Sequence, residues 1–167
     1  LYTDTVHDTA IIKKNHIIEG PSFQFRNNVM SKVENNSVFE KGTPRLKKKI
    51  KGRVFSLLTG GGGNENYFHW LFDVLPRLEI LKKKINLNDV DYFLFPDTSL
   101  SFQRESLNFL QIPLSKRLSS KKYRHIVADE IIAVDHPCVI LNNPNKDNEN
   151  LPDWIINFYR KEFKINI

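Results

Sequence analysis

The stretch GGGGNENYFHWLFDVLPRL, residues 60–78, marks the point where one kind of secondary structure gives way to another. Ahead of it, RVFSLLT (residues 53–59) is a compact apolar run, which is typical of a buried parallel strand. Beyond the four glycines the residues are again almost all apolar, and this predicts a buried helix from about Asn64 to Lys84. A strand that passes through a glycine loop into a helix opens a βαβ unit.

The rest of the chain continues this alternation. VDYFLFP (90–96) predicts a second strand, and SLSFQRESLNFLQ (99–111) predicts a second helix. YRHIVADEIIAVDHP (123–137) predicts one broken strand or two short ones, and the Asn-rich loop at 142–150 separates it from a last amphipathic helix at 151–163. The predicted fold class is therefore α/β, with a Rossmann-like parallel sheet and flanking helices.

The domain organisation follows from a change of pattern near residue 50. Residues 1–50 read as a small β-rich segment of short apolar fragments, with a hairpin expected around the Gly20–Pro21 breaker. Residues 51–167 carry the α/β pattern. A chain of 167 residues has room for one domain with a full core.

Composition limits the class of protein. A hydrophobic fraction of 40% and twelve Phe are typical of a packed globular chain. The net charge of +6 is concentrated in short basic clusters at residues 47–51, 82–84 and 116–122. Such clusters are most often solvated faces, and the alternative is attraction to an anionic membrane surface, a phosphorylated substrate or a nucleic acid. Nucleic-acid binding is not expected, because it rests on charge alone.

Cys138 is the only cysteine, so an intramolecular disulfide and a multi-cysteine zinc site are both excluded. A reducing compartment, the cytoplasm, fits this usage. No run of eighteen apolar residues is present to span a membrane.

Four polar residues interrupt the first predicted helix. Asn66, His69, Asp73 and Arg77 follow one another at intervals of three, four and four residues, which stacks their side chains on one narrow face. Leaving such groups buried without partners costs about 1–3 kcal/mol each. We therefore expect them to pair with each other, with another element or with a ligand, and Asp73 can reach both His69 and Arg77. Pro76 predicts a kink.

Two interpretations of this polar face stay open. It is either a structural network that ties the helix to the sheet, or part of a binding site. The second is favoured by position, because ligands of open α/β sheets bind outside the carboxyl ends of the strands. Gly62 and Gly63 would let a ligand approach the backbone, and the helix start offers free N–H groups to an anion. The glycines form neither a dinucleotide fingerprint nor a Walker A loop.

The block NYFHWLFDVLPRL, residues 66–78, resembles the N-Y-x-H-W-x-x-D-x-L-P-R-L block of glycosyltransferase family 61. That family includes bacterial capsular-polysaccharide enzymes, plant xylan-decorating transferases and animal transferases of protein O-glycans. The matching positions are Asn66, Tyr67, His69, Trp70, Asp73, Leu75, Pro76, Arg77 and Leu78.

The resemblance implies an inverting glycosyltransferase of the GT-B arrangement, which uses a nucleotide sugar and no bound metal or other cofactor. The family's second block, a basic stretch that binds the sugar nucleotide, has no match after Trp154. This chain is therefore expected to be the N-terminal, acceptor-side half of such an enzyme and to be inactive alone. The expected partners are a glycan acceptor and, mainly through the other half, the nucleotide sugar. The expected location is a bacterial cytoplasm, at the inner face of the membrane.

The resemblance and the polar face together give candidate roles. His69 and Asp73 are the candidate catalytic residues, with His69 taking the acceptor proton and Asp73 orienting it. Asp73 itself, or Glu65, is the alternative base. Arg77 and Pro76 are expected to support the site. Substrate contacts are expected from Asn66, Tyr67, Trp70, Gly62, Gly63 and Glu65. The rival function is a non-catalytic scaffold or regulatory domain of a polysaccharide assembly system.

Overall fold

The structure, a computed structural model, describes residues 1–3, 8–22, 25–26, 29–30, 32–59, 65–138 and 151–164. Its centre is a four-stranded parallel sheet in the order β3-β2-β1-β4. The strands are β1 (Lys48–Ser56), β2 (Tyr92–Phe95), β3 (Arg117–Ser119) and β4 (Ile126–Ala133).

The predicted parallel pairing of the first two strands is confirmed. Val54 lies opposite Tyr92, and Phe55 lies opposite Phe93. The bounds of β1 differ from the predicted 53–59, because the strand begins at Lys48 and ends at Ser56. Its first residues therefore lie within the predicted N-terminal segment, residues 1–50. The predicted strand at 123–137 is one strand, β4, with a register shift against β1 between Ala128 and Glu130.

The connection from β1 to β2 is helical but not one regular helix. Its described residues include α2 (Tyr67–His69), a π-helical turn (Trp70–Val74), α3 (Pro76–Lys82) and a short 3-10 turn (Leu87–Asp89). Pro76 has no N–H, and its ring would collide with a carbonyl in the preceding α-helical turn. The chain instead widens there, and the Leu75 N–H donates to the Trp70 carbonyl at 3.1 Å. The kink expected at Pro76 therefore takes the form of a π turn.

The first residues of this helical connection are less buried than the sequence predicts. Tyr67 and Phe68 are 57% and 38% exposed, because α2 begins beyond the edge of the core. From the π turn onward most apolar residues are buried in the core cluster that includes the sheet, whereas Leu71, Phe72 and Ile80 are half-buried. The buried residues are Trp70, Val74, Leu75, Leu78 and Leu81.

The other helices are α1 (Ser37–Lys41), α4 (Ser101–Phe109) and α5 (Asp153–Phe163). The last two confirm the helices predicted at 99–111 and 151–163. Leu107 of α4 and Phe158 of α5 share a core cluster with the helical connection on one face of the sheet. No helix among the described residues is long and apolar enough to cross a membrane.

The N-terminal residues form three antiparallel pairs of very short strands: Tyr2–Thr3 with Thr9–Ala10, Ile12–Lys13 with His16–Ile17, and Phe25–Arg26 with Val29–Met30. The turn that joins the second pair is Lys14–Asn15, both with positive φ, so the hairpin expected around Gly20–Pro21 lies earlier in the chain. Leu1 packs against Val54 and Ile126 on the sheet face opposite the helices.

Candidate functional site

The candidate site lies where the strand order of the sheet reverses. The chain proceeds outward from β1 through β2 to β3, whereas β4 lies on the other side of β1. At such a point the segments that leave the two neighbouring strands diverge and open a crevice at the carboxyl edge. One segment here leads from β1 into α2 and the π turn. The other is the loop at 134–138, which follows β4 directly.

The start of α2 fixes the first polar residues of the site. Asn66 caps the helix, and its side-chain oxygen accepts a hydrogen bond from the His69 N–H at 3.3 Å. One turn further on, the His69 Nδ1 atom lies 2.6 Å from the Asp73 Oδ2 atom. The His69 side chain remains 29% exposed, so its ring borders solvent while its Nδ1 atom is held.

Asp73 is buried in the π turn and is shared by two histidines. Its second carboxylate oxygen, Oδ1, lies 3.2 Å from Nε2 of His136, in the loop after β4. Burial alone would raise the pKa of the Asp73 carboxyl group, but the hydrogen bonds from His136 and His69 outweigh it and lower this pKa to about 2. Asp73 is therefore an anion at neutral pH that joins the helical connection to the loop.

Arg77 ties the same two segments together through backbone atoms. It is almost completely buried, its Nε atom donates to the Asp73 carbonyl at 2.8 Å, and its Nη1 atom donates to the Val134 carbonyl at 3.2 Å. Burial lowers the pKa of Arg77 to about 10 even though the charges of Asp73 and Asp135 oppose this shift. The expected anchoring of Asp73 by Arg77 thus acts on the main chain, whereas the side-chain partner of the carboxylate is His69.

Trp70 requires a correction. The sequence assigns it a sugar contact, but the indole is fully buried and its Nε1 atom donates to the Ser106 hydroxyl at 2.9 Å. A ring in this position packs α4 against the π turn and does not meet a ligand at the surface. Pro76 is also buried and begins α3.

The other candidate contacts lie at the exposed start of the helical connection. Tyr67 is largely exposed and packs edge-on against Phe102, with ring centroids 5.1 Å apart. Glu65 is exposed. Lys121, which follows β3, forms an ion pair with Asp97 after β2, and this pairing raises the pKa of Lys121. The charge of Glu65 adds to that rise. Gly62 and Gly63, like the rest of the glycine run, lie outside the described residues.

Two residues of the site were not predicted from the sequence, His136 and Cys138. The predicted strand extended to residue 137, whereas β4 ends at Ala133 and leaves both residues in the loop. A polar D-H-P-C tetrapeptide after an apolar strand was the available signal. Asp73, His136 and Cys138 each offer one atom that can bind a metal ion. These three atoms lie within 4.8 Å of one another.

Two large concave surfaces lie elsewhere on the molecule. One, of about 440 Å³, is bordered by Phe39, Lys47 and His125, and the other, of about 490 Å³, is formed by residues 82–87. Neither surface is lined by His69, Asp73 or His136. The candidate site is therefore identified by the contacts among its side chains and not by a large cavity.

Comparison with known proteins yields no relative: no family model, no curated protein and no solved structure matches this chain.

The shared carboxylate predicts a specific pH dependence of stability. Because the Asp73 pKa is lower in the folded chain, about 2 against an ordinary 3.8, its stabilisation is present above about pH 4 and is lost as the pH falls towards 2. We expect Asp73→Asn to remove about 2 kcal/mol of this acid-dependent part of the free energy of unfolding, as measured by urea denaturation across that range. Asp89→Asn, at an exposed carboxylate, is the control. An equal acid dependence in wild type and Asp73→Asn would contradict the shared-carboxylate geometry.

Proposed function

We propose that this chain is the acceptor-side part of an inverting glycosyltransferase that moves a sugar from a nucleotide sugar to a glycan acceptor in polysaccharide biosynthesis. The observation that carries the proposal is the His69–Asp73 pair, with 2.6 Å between Nδ1 and Oδ2, at the carboxyl edge of a parallel sheet. The resemblance of residues 66–78 to the family 61 block supplies the reaction class. The strand order β3-β2-β1-β4 supports a Rossmann-like half of a GT-B enzyme.

The proposed chemistry uses His69 as the general base. A proton on Nδ1, donated to Asp73, leaves the Nε2 lone pair free to accept a proton from an acceptor hydroxyl. As that proton moves to Nε2, the hydroxyl oxygen bonds to the anomeric carbon from the face opposite the nucleotide. The bond to the nucleotide phosphate breaks, and the nucleotide leaves with the electron pair. Asp73 stabilises the imidazolium that results, and no metal is required by this step.

The proposed acceptor contacts are assigned to exposed residues at the start of the helical connection. Tyr67 offers an exposed aromatic ring at the start of α2, where a pyranose ring can stack. Asn66 and Glu65 offer polar atoms at the same edge, and we keep Gly62 and Gly63 as candidate acceptor contacts. The nucleotide sugar is proposed to bind mainly to a second Rossmann-like domain outside this sequence. The basic clusters at residues 47–51 and 82–84 are proposed to hold the protein against an anionic membrane face in a bacterial cytoplasm.

His69→Ala tests the role of the base. In the full-length enzyme we expect kcat to fall by roughly 10²- to 10⁴-fold, the usual contribution of a general base. The melting temperature should fall only slightly, because the His69 side chain is partly exposed and His136 still contacts the other oxygen of the Asp73 carboxylate. The measurements are turnover and thermal unfolding on one preparation. His16→Ala, at an exposed histidine of the N-terminal hairpin, should change neither quantity.

A His69→Ala enzyme that is fully folded and turns over within a few-fold of wild type would overturn the assignment of the base. If the full-length protein carries out no transfer with any nucleotide sugar but still binds polysaccharide, the chain belongs to the rival class, a scaffold or regulatory domain of a polysaccharide assembly system.

The second experiment uses residues 1–167 alone. We expect this chain to bind an acceptor oligosaccharide at the start of α2, seen as changes of amide chemical shift near Asn66 and His69. We expect no transfer from, and no hydrolysis of, a labelled nucleotide sugar, because the proposed donor domain lies outside the sequence. Turnover of the donor by these residues alone would show that the donor site has been misplaced.

A further inference from the structure

Asp73, His136 and Cys138 bring together three different kinds of metal ligand. The carboxylate comes from the π turn after β1, whereas the imidazole and the thiol come from the loop after β4. Their ligand atoms all lie within 4.8 Å of one another, Asp73 is buried, and the His136 side chain is only 11% exposed. The three groups are thus held on two separate segments of the chain at one point of the carboxyl edge.

The spacing fits a small tetrahedral ion. Oxygen and nitrogen ligands that each lie about 2.0 Å from zinc are roughly 3.3 Å apart at a tetrahedral angle. The Asp73 Oδ1 and His136 Nε2 atoms are 3.2 Å apart, so this pair already has the separation of two tetrahedral ligands. A thiolate at about 2.3 Å completes three protein ligands and leaves a fourth position for water.

The loop also provides the outer partner that a metal-binding histidine uses. The His136 Nδ1 atom lies 3.0 Å from the carbonyl oxygen of Cys138, to which it donates when it carries the proton, and it accepts from the Cys138 N–H at 3.2 Å when it does not. With a proton on Nδ1, the ring donates to that carbonyl and turns the Nε2 lone pair towards the Asp73 carboxylate. Without a metal, the other tautomer donates from Nε2 to the Asp73 Oδ1 atom. An ion that takes the place of this proton requires the tautomer with its proton on Nδ1.

We propose that Asp73, His136 and Cys138 form a binding site for a divalent transition metal, zinc in the first place, which clamps the loop at 134–138 onto the π turn. A thiolate and an imidazole select zinc or cobalt over magnesium and calcium. The proposal is independent of the proposed glycosyl transfer, and the ion takes no part in that reaction. The Asp73 Oδ2 atom remains on His69 while Oδ1 binds the metal.

Binding must release a proton. Burial first, and the charge of Asp73 second, raise the pKa of the Cys138 thiol to about 12, so sulfur is protonated at neutral pH before the ion enters. The metal takes the place of that proton on sulfur, and the proton passes to solvent. In the proposed metal-bound state the His136 ring binds through Nε2 and carries its proton on Nδ1.

The test uses the 167-residue chain, freed of metal with a chelator, kept reduced and titrated with Co(II). Since Cys138 is the only cysteine, a near-ultraviolet thiolate-to-Co(II) charge-transfer band can arise from no other residue of the chain. We expect a saturable band at one Co(II) per monomer, its loss when Zn(II) is added, and no competition from excess Mg(II). Zn(II) should also raise the melting temperature.

Variants identify the ligands. Cys138→Ser should abolish the band, and His136→Ala should weaken Zn(II) binding by at least about 100-fold, because even outer-shell partners cost 10- to 100-fold. His16→Ala, the exposed control, should bind like wild type. Circular dichroism checks that each variant is folded. If a variant is not folded, Asp73→Asn, which keeps the shape of the side chain, is used in its place.

Three results would overturn the proposal. The first is the absence of a saturable charge-transfer band. The second is a stoichiometry of one metal per two chains with dimer formation, which would place Cys138 between copies. The third is a Zn(II) affinity that is unchanged in folded His136→Ala or Asp73→Asn. That result would show that Asp73 and His136 only hydrogen-bond to each other and do not bind the metal.

Discussion

The carboxylate of Asp73 is the constraint on which the rest of the site depends. One oxygen holds His69, which borders solvent, and the other holds His136, which comes from a different strand of the sheet. An unpaired carboxylate at this depth would cost several kcal/mol, and the hydrogen bonds from the two histidines offset that cost and lower its pKa. The same interaction that stabilises the crevice therefore also fixes the orientation of the exposed imidazole.

The fold supplies the conditions for this pairing. Parallel strands place the exits of β1 and β4 at one edge, and the reversal of strand order between them leaves room for the helical connection and the loop to meet. Pro76 forces the π turn that carries Asp73, and π turns of this kind recur at functional sites. Arg77 then secures both segments by donating to the carbonyls of Asp73 and Val134.

The sequence predicted the parts of this arrangement that depend on local pattern. The compact apolar runs around Phe55 and Phe93 gave the parallel pair, because strands buried on both faces need no alternation. The spacing of four residues gave the contact between His69 and Asp73. β3 was missed because Arg117–Ser119 is short and polar. Trp70 and His136 could not be assigned, since their partners, Ser106 and Asp73, lie far away along the chain and no periodicity reports such contacts.

The tautomer of His69 shows whether the Asp73 carboxylate orients the ring as a general base. It is read from the chemical shifts and couplings of the imidazole nitrogens, at a pH where the ring is neutral. We expect a proton on Nδ1, with the resonance of that proton moved downfield by the Asp73 carboxylate and restored in Asp73→Asn. A neutral His69 that carries its proton on Nε2, or a ring whose signals do not respond to Asp73→Asn, would contradict this orientation.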